Sequence, residues 1–327
     1  MTVAAASATE ALKNLATARV AVIGDVMLDI WLEGPVRRIS QEAPIPVVEL
    51  ATREVSPGGA ANVAELLTNL GATVSLLGVV GDDDEALALK EAINSTSVTV
   101  EFVHDADRPT TTKTRVLSGT QQICRLDVED RRPVSRDVES RLTAAIPDIL
   151  HGADAIIISD YGKGALTAEV VEAVFGTAFP QAERPPVIVD PQGSDVARYA
   201  RATLLKPNRL EAFSALQVSF DETTPALELA EALRERIGGC AVLVTDGANG
   251  MALAAEDETS VISPIGRAVA DAAGAGDAVT AVSALALASG FGLTAAAHWG
   301  NVAGAAAVSK RRTDPISISE LLAVAEE

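Results

Sequence analysis

The chain is poor in the residues that most often announce a site by themselves. Its two cysteines, Cys124 and Cys240, stand far apart. They form neither a disulfide framework nor a zinc knuckle, and read as two small apolar side chains in a reducing compartment. The three histidines, His104, His151 and His298, show no metal-ligand spacing and read as structural or exposed. No G-x-x-x-x-G-K-[ST] loop is present, because the only Gly-Lys pair, Gly162-Lys163, runs into Gly164; a G-x-S-x-G elbow is also lacking. Basic residues are outnumbered, 26 Lys and Arg against 45 Asp and Glu, for a net charge of −19. That balance excludes nucleic acid and anionic membranes as expected partners. It does not exclude phosphorylated small molecules, which a few cations and backbone amides can hold. Lys13 is the one cation before Arg19 and no continuous apolar run accompanies it, so no secretory leader is expected and the cytoplasm is the expected location. Ala278 to Ala297 is uncharged over membrane-helix length, but it consists mostly of Ala, Gly, Ser and Thr, and Gly290 and Gly292 interrupt it. A buried helix followed by a second one is the expectation.

What is present is ordinary globular composition, 48% apolar and 22% charged over 327 residues. The length suits one substantial domain with an appendage. Short apolar runs recur at Val20 to Ile23, Val74 to Val80, Ala155 to Ile158, Val187 to Val189, Thr203 to Leu205 and Ala241 to Val244. Each ends in small or acidic residues, as in Gly24-Asp25, Ser159-Asp160, Asp190-Pro191 and Thr245-Asp246-Gly247. Amphipathic stretches of helical length lie between them, among them Ala60 to Leu70 and Ser135 to Leu150. Unbroken apolar strands alternating with helices predict an α/β fold with a mostly parallel central sheet covered on both faces. Ligands are expected at the C-terminal ends of its strands.

Two regions break this rhythm. Residues 31–50 carry Pro35, Pro44 and Pro46 among short β-like pieces. Residues 97–128 read as consecutive strands, with a hairpin turning at Ser118-Gly119-Thr120. Together they predict a small β lid or dimer surface against the main body. No repeat, low-complexity tract or linker is visible, so residues 1–327 are expected to form a single domain.

The strongest chemical signal is Asp271-Ala272-Ala273-Gly274-Ala275-Gly276-Asp277, followed by a long small-apolar helix. Small residues at a helix N-terminus let backbone amides approach an anion, and the helix dipole favours negative charge there. A carboxylate at the same point can take the proton of a substrate hydroxyl. The combination suits phosphoryl transfer from a nucleotide to an alcohol. The same heptapeptide also fits a plain Gly-rich turn with an Asp capping a helix.

Here the chain resembles the ribokinase-like (PfkB-type) carbohydrate kinases along nearly its whole length. Gly274-Ala275-Gly276-Asp277 matches the C-terminal signature, whose Asp is the catalytic base, and Gly58-Gly59-Ala60-Ala61-Asn62 matches the N-terminal one, which holds sugar hydroxyls. Asn208-Arg209-Leu210-Glu211 matches the N-x-x-E motif, whose Glu organises magnesium through water; Thr245-Asp246-Gly247 matches a nucleotide-contacting turn; Asn301 falls where a helix packs against adenine. The resemblance implies a three-layer sandwich, with ATP and Mg²⁺ as cofactors.

Within the family, Gly24 to Asp29, Arg38 to Val48, Pro57 to Ala64, Thr112 to Leu117 and Ser159-Asp160-Tyr161 are similar to the D-glycero-β-D-manno-heptose 7-phosphate 1-kinases, in their free form rather than the form fused to a nucleotidyltransferase. This implies phosphorylation of the anomeric hydroxyl. Asp29 and Asn62 suit sugar hydroxyls. Lys113 and Arg115, alternating on one strand face, and the lid residues Arg37 and Arg38 are cations for the 7-phosphate; a solvated surface is the other reading of Arg37 and Arg38. Lys206 and Lys163 are strand-end cations for the nucleotide phosphates. A homodimer through the β lid is expected.

Three departures stand out. Ala272 and Ala273 replace threonines, and Gln192 replaces a lysine in Asp190-Pro191-Gln192-Gly193. Lys310-Arg311-Arg312-Thr313 replaces the small loop tied to a monovalent-cation site, so use of that ion stays open. A kinase for another sugar and a non-catalytic sugar-phosphate or nucleotide binder are the alternatives.

Overall fold

The computed structural model describes residues 17–93, 97–177, 184–267 and 271–326. Lys13, used above against a leader, lies outside them. Strands β1 (Arg19–Gly24), β2 (Val26–Glu33), β3 (Val36–Ile39), β4 (Pro46–Val48) and β5 (Thr52–Gly59) lead to helix α1 (Ala60–Asn69). There follow β6 (Thr73–Val80), α2 (Asp84–Ala92), β7 (Val98–His104), β8 (Thr112–Ser118) and β9 (Gln121–Val128). Next come α3 (Arg136–Leu150), β10 (Ala155–Ser159), α4 (Ala168–Gly176), β11 (Val187–Asp190) and β12 (Leu204–Leu205). The remainder is α5 (Arg209–Leu216), α6 (Ala226–Ile237), β13 (Ala241–Thr245), β14 (Met251–Ala254), β15 (Thr259–Ile262), α7 (Ala275–Ala288), α8 (Leu293–Val308) and α9 (Ile318–Ala325).

A nine-stranded sheet in the order β15-β14-β13-β12-β11-β10-β1-β6-β7 forms the body. Its strands pair in parallel except at β13–β14 and β14–β15. Alternate side chains of one strand serve opposite faces. Val20 and Val22 join one core with Leu67 of α1, Val282 of α7 and Ala303 of α8. Ala21 and Ile23 join the other with Leu142 of α3, Val170 of α4 and Leu233 of α6. Two apolar layers on one sheet explain why its strands read as unbroken apolar runs, and they make the three-layer α/β sandwich.

The uncharged stretch resolves into α7 and α8, as expected. They approach closely enough that a Cβ on Gly300 would lie 2.5 Å from Ser283 Oγ. No described helix is long and apolar enough to cross a membrane.

The appendage differs from the expectation. Residues 98–104 belong to the body, where β7 pairs in parallel with β6 at the sheet edge. An edge strand has one covered face, so its burial alternates as a lid strand's would. The small sheet instead runs β5-β2-β8-β9. It takes in most of β2 and β5, which lie outside 31–50, and the hairpin turns at Gly119, φ 60°, as predicted. β3 and β4 form a separate two-stranded ribbon.

Strand order reverses direction between β1 and β10. Crevices of open α/β sheets lie at such a switch point, and here Asp25 follows β1 while Asp160 and Tyr161 follow β10.

Candidate active site

The Gly-rich turn is held from both ends before any ligand is considered. Asp271 accepts the amides of Ala273 at 3.0 Å and Arg312 at 3.2 Å. Gly274, at φ 75°, caps α7 in the left-handed region that glycine tolerates, and a Cβ there would stand 3.2 Å from Asn62 Nδ2. The first turn of α7 leaves the amides of Gly276 and Asp277 without intrahelical carbonyls. Asp277 is buried at this turn. Its Oδ2 accepts from Asn62 Nδ2 at 2.5 Å and its Oδ1 from the Tyr161 hydroxyl at 2.6 Å. Burial, reinforced by Asp190, raises its pKa to about 6 against the pull of Tyr161, Asn62 and Lys206. Such a carboxylate is ionised at neutral pH and basic enough to accept a hydroxyl proton.

One side of Asp277 is polar. Gly58 packs so tightly that a Cβ would meet Asp29 Oδ2 at 2.8 Å, and Gly59, at φ 56°, turns β5 into α1, whose first turn carries Asn62. Asp29 is buried and bonded to Arg115 Nη1 at 2.6 Å. Burial nevertheless outweighs Arg115 and raises its pKa. Expected as an open acceptor, Asp29 is thus already half engaged. Lys113, expected to face a phosphate, pairs with Asp127 at 3.4 Å and Glu129 at 3.9 Å. Lys163, expected near the nucleotide, is drawn to Glu129 at 2.5 Å by the same acidic group. Arg37 pairs with Glu49, and Arg38 is exposed on the β3–β4 ribbon. Residues close in sequence pattern were thus separated by local ion pairs that spacing does not reveal.

The other side holds charge and then opens. Lys206 is buried, 3.0 Å from Asp190, with its Nζ 3.5 Å from where a Gly276 Cβ would sit. Asp190 also accepts from the Thr280 hydroxyl at 3.1 Å. Asn208 and Glu211 cap α5 reciprocally: Asn208 Oδ1 accepts the Glu211 amide, and Glu211 Oε2 accepts the Asn208 amide at 2.7 Å. The N-x-x-E motif is therefore first a capping box. Burial and Asp190 push Glu211 to about 7 although Lys206 opposes them. Two carboxylates sharing one lysine suit a divalent cation held through water with phosphates. Among the described residues no cluster of three acidic, His or Cys ligands would cage a bare metal.

Beyond Gly276 lies a cleft of about 360 Å³. Thr245, Gly247, Gly250, Asn301 and Gly304 line it; of the expected nucleotide residues Thr245, Gly247 and Asn301 come together here, whereas Lys206, Asn208 and Glu211 do not line the cleft. Asn301 Nδ2 donates to the Ser263 carbonyl at 2.9 Å. Its small residues admit a flat ring system.

Three participants were not singled out by sequence. Tyr161 and Asp190 sit at strand ends, a signal that was visible, but their contacts with Asp277 and Lys206 are tertiary. Two guanidiniums approach the Trp31 ring, Arg115 at 4.6 Å and Arg312 at 5.2 Å from its centroid. Arg312 also pairs with Glu33 and Glu54. The loop of Lys310 to Thr313 thus ties the Gly-rich turn to the small sheet, while Lys310 turns to Glu320.

Known proteins resemble this chain in sequence and in fold. The bifunctional protein HldE of Pelobacter propionicus is 40% identical over 311 residues, 94% of this chain and 63% of that protein. HldE of Caulobacter vibrioides is 41% identical over 309 residues, again 94% and 63%. The chain therefore spans under two thirds of these relatives. Escherichia coli phosphofructokinase-2 in complex with potassium superposes with a TM-score of 0.76 at 18% identity, covering 94% of this chain and 98% of that one. Arabidopsis thaliana ribokinase with ribose and ATP gives 0.69 at 20%, covering 95% and 99%. These show a shared ribokinase-like fold. The description "pfkB family carbohydrate kinase" matches residues 17–320, and the chain belongs to that family of ATP-dependent sugar kinases.

Proposed function

We propose that this kinase transfers the γ-phosphoryl group of ATP to the anomeric hydroxyl of D-glycero-D-manno-heptose 7-phosphate. The observation that carries the reading is the position of Asp277: a buried carboxylate between a polar pocket and a nucleotide-sized cleft, at the foot of an amide-lined turn.

Asp29 and Asn62 orient the sugar hydroxyls. Asp277 accepts the proton of the reacting hydroxyl, whose oxygen forms the new bond to phosphorus as the bond to ADP breaks. The amides of Gly274, Ala275 and Gly276, with Lys206, stabilise the moving phosphoryl group. Thr245, Gly247 and Asn301 line the nucleoside side. Glu211, with Asp190 behind it, would hold Mg²⁺ through water; the ion supplies neutralisation of phosphate charge. Such a cation also offsets the burial and the neighbouring Asp190 charge that raise Glu211.

The heptose 7-phosphate is favoured by the sequence stretches shared with those kinases and by the cations of the small sheet. On this reading Lys113 and Arg115 exchange Asp127 and Asp29 for the phosphate dianion, with Arg38 closing from the ribbon as the small sheet acts as a lid. Two copies pair through that sheet, where β9 presents an open edge and exposed Leu126 and Val128.

The test is ATP consumption with magnesium against heptose 7-phosphate, sedoheptulose 7-phosphate and fructose phosphates, with phosphorus NMR of the product. A 1,7-bisphosphate from the heptose alone is expected. Turnover on another sugar only would discard the heptose, and ATP binding without turnover on any would discard catalysis.

A further inference from the structure

The switch point holds a second buried carboxylate with no place in that mechanism. Asp25 is 3% exposed, and its Oδ2 accepts the backbone amides of Tyr161 at 2.8 Å and Lys163 at 3.0 Å. The Ala165 amide is also directed at it. Alternate amides converge on one carboxylate because Gly162 and Gly164 take φ of 66° and 82°. Asp160, beside it, accepts the Gly162 amide at 2.9 Å and the Tyr199 hydroxyl at 2.7 Å. A Cβ on Gly164 would strike the Arg132 carbonyl at 2.0 Å, so this close turn admits no side chain at that position. Tyr161 is delivered by a turn wired to two buried carboxylates, and its hydroxyl meets Asp277 at 2.6 Å.

We propose that Tyr161 is the positioning residue of the base, donating to the ionised Asp277 so that it stays anionic and aimed at the acceptor, and that Asp25 is the anchor holding Tyr161 there. The proposal rests on Asp277 being the base. Burial and the facing Asp277 and Asp190 keep the phenol protonated, so it can only donate to the carboxylate. The groups around Asp277 divide cleanly. Asn62 on α1, Lys206 after β12 and Tyr161 after β10 favour the anion; Asp190 at the end of β11 and burial oppose it. Asn62 and Lys206 also serve the sugar and phosphate sides. Among the described residues the Tyr161 hydroxyl has no other side-chain hydrogen-bond partner, so its hydrogen bond is dedicated to Asp277.

Tyr161→Phe removes the hydroxyl and keeps the ring. In the full, ligand-free chain labelled with ¹³C at aspartate carboxyls, the Asp277 signal is identified by its loss in Asp277→Asn. We expect it to titrate near pH 6 in the parent and about one pH unit higher in Tyr161→Phe. This arm needs no acceptor, so it reads the same whichever sugar is the substrate. With ATP, magnesium and heptose 7-phosphate, kcat should fall about tenfold on the acid limb below pH 6 and only about twofold at pH 7, the sugar KM should stay within about twofold, and the acid limb of kcat should move up with the titration. Asp25→Asn, which loosens the turn without touching Asp277, should move the midpoint the same way by less. An unshifted midpoint in Tyr161→Phe, or a kcat loss uniform across pH, would overturn the proposal and leave the base assignment standing. Turnover retained by Asp277→Asn would overturn the base assignment itself.

Discussion

Asp277 is a carboxylate whose burial makes its stability contribution depend on pH. Its pKa rises from 3.8 to about 6 on folding, chiefly through burial. A raised carboxyl binds its proton more tightly in the folded state, so its contribution is fully present below about pH 4 and is lost as pH rises through about 6. Asp25, raised to about 6, and Glu211, raised to about 7, act in the same direction. The unfolding free energy of the ligand-free protein should therefore decline between about pH 4.5 and 7, which urea melts across that window will show. Asp277→Asn should be more stable than the parent by about 2 kcal/mol at pH 8, equal to it near pH 4, and slower in turnover by ~10²–10⁴. A parallel pH dependence in the two proteins would refute the linkage. The sequence pointed to Asp277 through its glycine-rich neighbourhood. It could not point to Tyr161, whose partner is more than a hundred residues away in the chain.

At the scale of elements, the proposed site is assembled from helix starts. α1 presents Asn62, α5 presents Glu211 and α7 presents Asp277, each in a first turn whose amides have no intrahelical carbonyl to meet. α5 does double duty, because the capping box that begins the helix also aims Glu211. Asn208→Ala should cost about 1 kcal/mol of stability by removing the cap. It should also raise the KM for Mg-ATP more than that for the sugar, since only Glu211 is released; a loss confined to stability would separate the cap from the cation site. Helix starts were legible because they follow local rules: Gly at positive φ, Asn three before Glu, small residues before a long apolar run. The extent of the small sheet was not, since β2 and β5 look like continuations of their neighbours until they pair with each other.

At the scale of the molecule, the small sheet is a second unit set against the body and latched to it. Arg312, stacked on Trp31 and paired with Glu33 and Glu54, spans from the Gly-rich turn to β2 and β5. Arg312 thereby joins that sheet to the Gly-rich turn through its backbone amide on Asp271. The outer strand β9 leaves Leu126 and Val128 half exposed, an apolar edge that is costly in isolation. If the proposed pairing is correct, Leu126→Lys should shift the protein from dimer to monomer in light scattering while leaving its melting temperature within about 2 °C. An unchanged mass would place the dimer surface elsewhere or remove it.

The sequence by itself determined the alternation of strands and helices, the sheet's parallel core, the helix starts and the glycines of the turn, because each depends on residues adjacent in the chain. Only the tertiary structure decided which charges are spoken for. Lys113 and Lys163 turn to Glu129, Arg115 to Asp29 and Lys206 to Asp190. Only the fold brings Tyr161 onto Asp277 and Arg312 onto Trp31. Such pairings follow from distances in space, and a side chain's partner, unlike its helix or strand, is set by whichever opposite charge the packed sheet brings within a few ångströms.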